Sequence, residues 1–265
     1  MNPDSTRAAS ALLQDLWQRG DVIPMLPVTM RPQSRADGYA IQALLEARDA
    51  SPLYGWKIAA TSIAGQQHIN VDGPIAGRIL ASRVVVDGGT VPPGPNRMSV
   101  AEVEFAFRMG RDLPPRHEPY GVDEVVDAVA SLHAAIEVPD SRYSDFTRVG
   151  AAQLIADNAC AHWFVAADAA PADWRSIDLA MHRVTGRVIR NGQVVLEREG
   201  AGASALGDPR IALTWLANEL SSLGIVLAKG RMVTTGTCVQ PLEMRPGDEI
   251  TAELGSIGRA VVRIG

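Results

Sequence analysis

Ser99-Val-Ala-Glu-Val-Glu-Phe-Ala-Phe-Arg-Met-Gly110 is the stretch whose alternation decides how the chain reads. Side chains along a strand point in turn to its two faces. Glu102, Glu104 and Ala106 therefore fall on one side and Val103, Phe105 and Phe107 on the other. The β-branched and aromatic side packs on a core. The acidic side sets two carboxylates next to each other, where they repel unless a cation lies between them. A hard divalent ion held by oxygen ligands meets that need. For this segment alone, a solvated strand face with two ordinary glutamates is the competing reading.

Working outward, a third carboxylate stands in similar surroundings. Glu137 lies between Ile136 and Val138 in an apolar run closed by Pro139, where an unpaired charge is costly. Lys57 is equally out of place, flanked by Trp56 and Ile58 in Tyr54-Gly-Trp-Lys-Ile-Ala-Ala-Thr-Ser62. Of the 25 basic residues only Lys57 and Lys229 are lysine. Arginine keeps its proton under all ordinary conditions, whereas a buried lysine can be tuned to release it. A lysine snorkelling from an edge strand is the bland alternative. Three carboxylates, an apolar-flanked lysine and polar turn residues suit Mg²⁺ or Mn²⁺, which favour octahedral oxygen ligands and leave positions open to substrate oxygens.

The remainder sets bounds on this. With 265 residues, 46% apolar and a formal net charge of −5, the chain can bury a large core and has no basic excess for nucleic acid or an anionic membrane surface. No apolar run is long enough to span a bilayer, and residues 1–20 carry acidic groups and lack a signal core, so a cytoplasmic protein is expected. Cys160 and Cys238 form no CxxC and indicate neither a disulfide framework nor zinc. No HExxH, GxGxxG or GxxxxGK[ST] occurs, and the five histidines show no metal-ligand spacing; each is expected to be structural or exposed.

The spacing predicts helices over residues 5–19, ending at Gly20, and from Ser34 to Arg48. A strand around Lys57 leads into a loop-rich stretch, 63–96, broken by a short strand near Arg83–Val86. After the diglutamate strand a helix is expected over Val122–Leu132, then the Glu137 strand and a helix over 148–156. A hairpin turning at Asn191-Gly192 follows. A helix over Arg210–Leu223, capped by Asp208-Pro209, precedes strands at Met232–Cys238, Glu249–Leu254 and Ala260–Ile264. Helices followed by irregular strands with long connections read as α+β with a curved mixed sheet.

Several of these segments carry a family likeness. Gly55-Trp-Lys-Ile-Ala-Ala-Thr-Ser62, Ala101-Glu-Val-Glu-Phe-Ala-Phe107 with Gly110-Arg-Asp-Leu113, Ala135-Ile-Glu-Val-Pro-Asp-Ser-Arg142, Ala156-Asp-Asn-Ala159 and Arg245-Pro-Gly-Asp248 run in the order found in one family. The chain resembles the 2-keto-4-pentenoate hydratase / 4-oxalocrotonate decarboxylase family of the fumarylacetoacetate hydrolase superfamily over nearly its whole length. The resemblance implies a mixed β-roll, residues 53–265, with an N-terminal helical segment, residues 1–52, packed on it as one continuous unit. It implies Mg²⁺ or Mn²⁺ on Glu102, Glu104 and Glu137, a catalytic role for Lys57, and substrate-pocket positions for Thr61, Ser62, Asp157, Asn158 and Thr237. A homo-oligomeric lyase of aromatic catabolism is implied, adding water to a 2-hydroxy-2,4-dienoate. Lys57, its pKa lowered by burial and by the metal's charge, is then the expected proton carrier.

One stretch departs from the family. Where relatives carry an acid in a Pro-Asp-aromatic-Gly turn, this chain has Gly73-Pro-Ile-Ala-Gly77, with Ile75 at the acid's position and Asp72 as a candidate substitute. Cys160 stands where serine is common. Three alternatives stay open: a 2-oxo acid decarboxylase using the same metal, a carbon–carbon hydrolase, for which only His68 is available as the N-terminal base, and a catalytically silent partner subunit.

Overall fold

The computed structural model describes residues 1–265. Helix α1 (Pro3–Arg19) starts at Asn2, whose side chain accepts from the Ser5 N–H, and stops at Gly20 in the left-handed conformation. The expected second helix is two. A capping box of Ser34 and Asp37 opens α2 (Arg35–Gln42), a turn at Ala43-Leu44 interrupts it, and α3 (Leu45–Asp49) resumes. Next to the break, the buried Gln42 amide ties the end of α2 to the Ala76 and Ile155 carbonyls at 2.8 and 3.0 Å.

Strand β1 (Leu53–Ala59) carries Lys57. The stretch expected to be loop holds α4 (Ile63–His68) and β2 (Ile75–Leu80), a strand buried along its whole length. Arg83–Val86 is not a strand: a 3₁₀ turn ends at Arg83, and only a single bridge joins Val84 to Phe164. The short β3 (Thr90–Val91) precedes β4 (Val100–Met109). The helix expected to reach Leu132 ends early, as α5 (Val122–Asp127), because Val129 onward pairs with β4 as β5 (Val129–Val138). Pairing across the sheet overrides a helical spacing that continues into β-branched residues.

Next come α6 (Ala151–Ala156), β6 (Trp163–Ala169), and the expected hairpin as β7 (Arg183–Arg190) and β8 (Gln193–Ala201). Helix α7 (Pro209–Ser222) begins at the Asp208 cap. Strand β9 (Met232–Thr234) is shorter than expected, since Gly236 at φ +93° ends the extended run. Strands β10 (Leu242–Glu243), β11 (Glu249–Glu253) and β12 (Arg259–Ile264) complete the chain. No helix is long and apolar enough to cross a membrane.

These strands form two sheets, ordered β2-β1-β9-β4-β5-β6, with β10 beside β4, and β3-β12-β11-β7-β8. The Val103, Phe105 and Phe107 face of β4 joins the main core of 50 buried residues, together with Val184 and Val188 of β7 and Ile250 of β11. The alternation of β4 thus does what its sequence implies: one face seals the space between the sheets. The other face, with Glu102 and Glu104, is left for chemistry.

Candidate active site

Register carries the key side chains to one face of the first sheet. Glu102 pairs with Glu137 across β4 and β5, and Glu104 with Ala135. On the other flank, Ala106 pairs with Thr234 of β9, which pairs in turn with Lys57 of β1. Directly opposed residues share a face, so Lys57 and the three glutamates stand on the same side. Lys57 Nζ lies 3.0 Å from Glu137 Oε2 and 3.8 Å from Glu102 Oε2. Lys57 and Glu137 are almost fully buried and Glu104 wholly so, while Glu102 reaches the cavity with about a fifth of its side chain exposed (19%).

Their bonding explains their electrostatics. Glu104 Oε2 accepts from the Gly236 N–H at 2.7 Å, and Glu104 Oε1 is buried with no partner at all. Burial, and then repulsion from Glu102, push Glu104 well above the usual carboxylate range. Glu137 is pushed up to about 7, first by burial, against the pull of Lys57. For Lys57 burial alone favours the neutral amine, but attraction to Glu137 and Glu102 outweighs it, and the ammonium is held above its ordinary value. With the three carboxylates facing one ammonium and no cation among them, the charged form is favoured more than desolvation opposes it; the lowering expected from the sequence requires the metal's charge as well.

A cavity of about 850 Å³ opens on this cluster, with Lys57, Thr61, Ser62, Glu102, Cys160 and Thr237 on its wall. Thr61 follows the end of β1. Ser62 caps α4, its Oγ accepting from the Gly65 N–H at 3.0 Å, which leaves its own O–H to donate into the cavity. Gly236 is required where it is, since a Cβ there would stand 2.1 Å from Thr61 Oγ1.

Two expected substrate contacts lie elsewhere. Asp157 is spent on Arg142 and Ser141, accepting from Arg142 Nε at 2.5 Å and from Ser141 Oγ at 2.7 Å. Asn158 accepts from the Arg78 N–H at 2.6 Å and donates to the Arg78 carbonyl at 2.9 Å. Neither lines the cavity. Together they anchor a turn in which Asn158, Ala159 and Cys160 all have positive φ, and it is Ala159 and Cys160 that reach the wall. The Cys160 thiol is pushed up to about 12 by burial and then by Asp157, so it is a neutral lining group rather than a nucleophile. Asp72 does not replace the missing acid: it is exposed and paired with Arg35 at 2.7 Å, whereas Ile75 is buried on the cavity wall. His68, expected to be structural or exposed, lines the cavity as well.

Charge and donor type fit a divalent cation. The cluster sets three carboxylates against one ammonium and leaves Glu104 Oε1 unpartnered in a buried position, which a hard cation would satisfy. In this arrangement Glu137 is turned to Lys57 and to the His162 N–H (3.2 Å), and no three such side chains close around a single point.

The chain is 31% identical over 264 residues to the 2-keto-4-pentenoate hydratase of Paraburkholderia xenovorans (strain LB400), covering 97% of this chain and 94% of that protein. The chain belongs to the 2-keto-4-pentenoate hydratase / 4-oxalocrotonate decarboxylase family. It is also 31% identical over 232 residues to a 4-oxalocrotonate decarboxylase of Pseudomonas putida, covering 86% of this chain and 84% of that one. Its fold matches the 4-oxalocrotonate decarboxylase from Pseudomonas putida G7 complexed with magnesium and adipate, with a TM-score of 0.84 and 25% identity over 100% of this chain and 99% of that one. No family model matches. The α+β, fumarylacetoacetate hydrolase-type architecture expected from the sequence is therefore the observed one.

Proposed function

We propose that this chain is a divalent-metal-dependent hydro-lyase that adds water to a 2-hydroxy-2,4-dienoate to give a 4-hydroxy-2-oxo acid. The observation that carries the reading is a buried cluster on one sheet face, Lys57 with Glu102, Glu104 and Glu137, of which Lys57 and Glu102 open onto a cavity walled by Thr61, Ser62 and Thr237. Hydratase relatives along nearly the whole chain support the same reaction. Glu102, Glu104 and Glu137 would hold Mg²⁺ or Mn²⁺; magnesium in the solved relative supports the first. Bound there, such an ion takes up negative charge developing on the C1 carboxylate and C2 oxygen of a 2-oxo acid.

The chain's own residues have two tasks. Thr61 and Ser62 supply hydroxyls at the wall that orient the substrate carboxylate, while Thr237, whose hydroxyl donates to the Val239 carbonyl at 2.8 Å, shapes the wall beside them. Lys57 moves protons at Nζ. The C2 hydroxyl gives up its proton as C5 gains one, converting the dienol to an unsaturated ketone. Water then adds, its oxygen to C4 and its proton to C3, with no net gain or loss of protons at Lys57. Glu137, hydrogen-bonded to Nζ, fixes the direction of the ammonium. On this reading the enzyme is a cytoplasmic homo-oligomer of aromatic catabolism.

Ultraviolet absorbance of freshly generated 2-hydroxypenta-2,4-dienoate tests it, with Mg²⁺ or Mn²⁺ against EDTA. Metal-dependent loss of the dienol band with 4-hydroxy-2-oxopentanoate as product is expected. Loss of CO₂ from 2-oxo-3-hexenedioate without hydration of the dienoate would replace the reading with a decarboxylase.

A further inference from the structure

The cavity is built for more than a five-carbon acid. Beyond Lys57 and the hydroxyl-bearing wall, part of its lining is an apolar patch, with Ile69, Ile75, Met98, Phe146 and Val239 as the larger side chains. Ile75 is placed by register. Ala59 pairs with Ile75 and Lys57 with Gly77, so Ile75 stands on the Lys57 face. It is one residue pair farther along, about 7 Å at the usual strand rise. A C5 substituent of that reach would meet Ile75 if the reacting carbons were at Lys57 and the substrate ran along β1. The open cavity of about 850 Å³ leaves room for a molecule larger than pentadienoate.

The charges on the wall point the same way. Although 25 of the 265 residues are basic and all but two of these are arginine, no arginine lines this cavity. Lys57 is committed to Glu137 and Glu102. His68 is the other side chain able to carry positive charge, and its ring packs edge-on to Phe146 at 6.0 Å. Glu199 and Glu243, also on the wall, are acidic, and their arginine partners Arg183 and Arg198 stand outside it. A carboxylate at the far end of a substrate would lose its water here and gain no cation in exchange. An alkyl or aryl group would instead be removed from water against Ile69, Ile75 and Phe146.

We infer that the substrate is a monocarboxylate 2-hydroxy-2,4-dienoate whose distal end carries a sizeable apolar group, with Ile75 and Ile69 as the specificity-determining residues. The inference rests on the hydro-lyase reading, and two measurements separate them. Turnover by the full-length protein with Mg²⁺ is compared for dienoates ending in hydrogen, phenyl and carboxylate. Calorimetry then compares unreactive 2-oxo-5-phenylpentanoate with 2-oxohexanedioate. The phenyl dienoate is expected to exceed the hydrogen-terminated one by about tenfold in kcat/KM, and the carboxylate-terminated one by about a hundredfold. The phenyl 2-oxo acid is expected to bind at least about tenfold more tightly than the diacid. Ile69→Arg, at a half-buried position just past the end of α4, is expected to narrow or reverse that binding preference. Tighter phenyl binding with no dienoate consumed would remove the lyase reading and keep the apolar pocket. Equal or tighter binding of the diacid by the unaltered protein, with dienoates still consumed, would overturn the inference alone. No binding of either acid, with no dienoate consumed, would overturn both.

Discussion

At the scale of single residues, Lys57 and Glu104 have separable parts. Lys57 Nζ is the mobile proton in the proposed chemistry, and an arginine at that position keeps the charge while losing the ability to exchange a proton. Lys57→Arg is expected to lower kcat by about 10²–10⁴-fold and to leave Mg²⁺ affinity within a few-fold of the parent. Steady-state rates together with a Mg²⁺ titration check this, and a normal kcat would end the role given to Lys57. Glu104 is the converse case. Its Oε2 is held by Gly236 and its Oε1 has no partner, so the carboxylate is oriented but unsatisfied. Glu104→Gln keeps the shape and the Oε1 position but removes the charge. It is expected to weaken Mg²⁺ binding by at least about tenfold, and unchanged affinity by calorimetry would strike Glu104 from the proposed ligand set.

At the scale of elements, the turn after α6 carries the most unusual backbone in the site. Three successive non-glycine residues, Asn158, Ala159 and Cys160, lie at φ +57°, +51° and +59°. Each costs about 1–2 kcal/mol relative to right-handed backbone, and the turn persists because its flanks are over-determined. Asp157 clamps Arg142, and Asn158 pairs with both backbone groups of Arg78 on β2 like a neighbouring strand. Asn158→Ala would leave a buried N–H and carbonyl of Arg78 unpaired and is expected to cost about 2–4 kcal/mol of stability. The KM of the folded fraction is expected to change little. A large rise in KM with an unaltered melting temperature would instead make Asn158 a substrate contact. The likeness marked Ala156-Asp-Asn-Ala159, but the left-handed run that follows Asp157 was not legible, because Ala159 and Cys160 give no local sign of such backbone. Strand β4 was legible because Val103, Phe105 and Phe107 alternate strictly with the glutamates. Strand β2 was not, since Ile75-Ala-Gly-Arg-Ile-Leu80 is buried on both faces and shows no period. Lys57 and the glutamates could be singled out individually, but that they share one face depends on β9 lying between β1 and β4, a long-range pairing that no local pattern reveals.

At the scale of the whole molecule, the buried cluster makes folding, protons and divalent ions compete. A carboxyl whose pKa is raised in the folded state holds its proton more tightly there than in the unfolded chain. Its contribution therefore favours the fold at low pH and is withdrawn as pH climbs from 4.5 toward about 7 for Glu137, with Glu104 shifted in the same direction. His162 acts oppositely: burial pushes it down to about 2, so its contribution is full above 6.5 and is lost as pH falls below that value. Lys57, held above its ordinary 10.5, contributes constantly across this window. A melting curve in EDTA alone would mix these effects, but the difference between curves with and without Mg²⁺ cancels the His162 part. A cation on Glu102, Glu104 and Glu137 has to displace whatever protons Glu104 and Glu137 carry, so its stabilisation should grow with pH. With Mg²⁺ at about a hundred times its dissociation constant at pH 7.5, the melting temperature is expected to rise by about 5–10 °C, and by less than half of that at pH 5. Glu104→Gln should flatten the difference at both values. An increment that is equal at pH 5 and pH 7.5 in the parent protein would mean that the ion binds where no carboxyl is protonated, and so somewhere other than among these three glutamates.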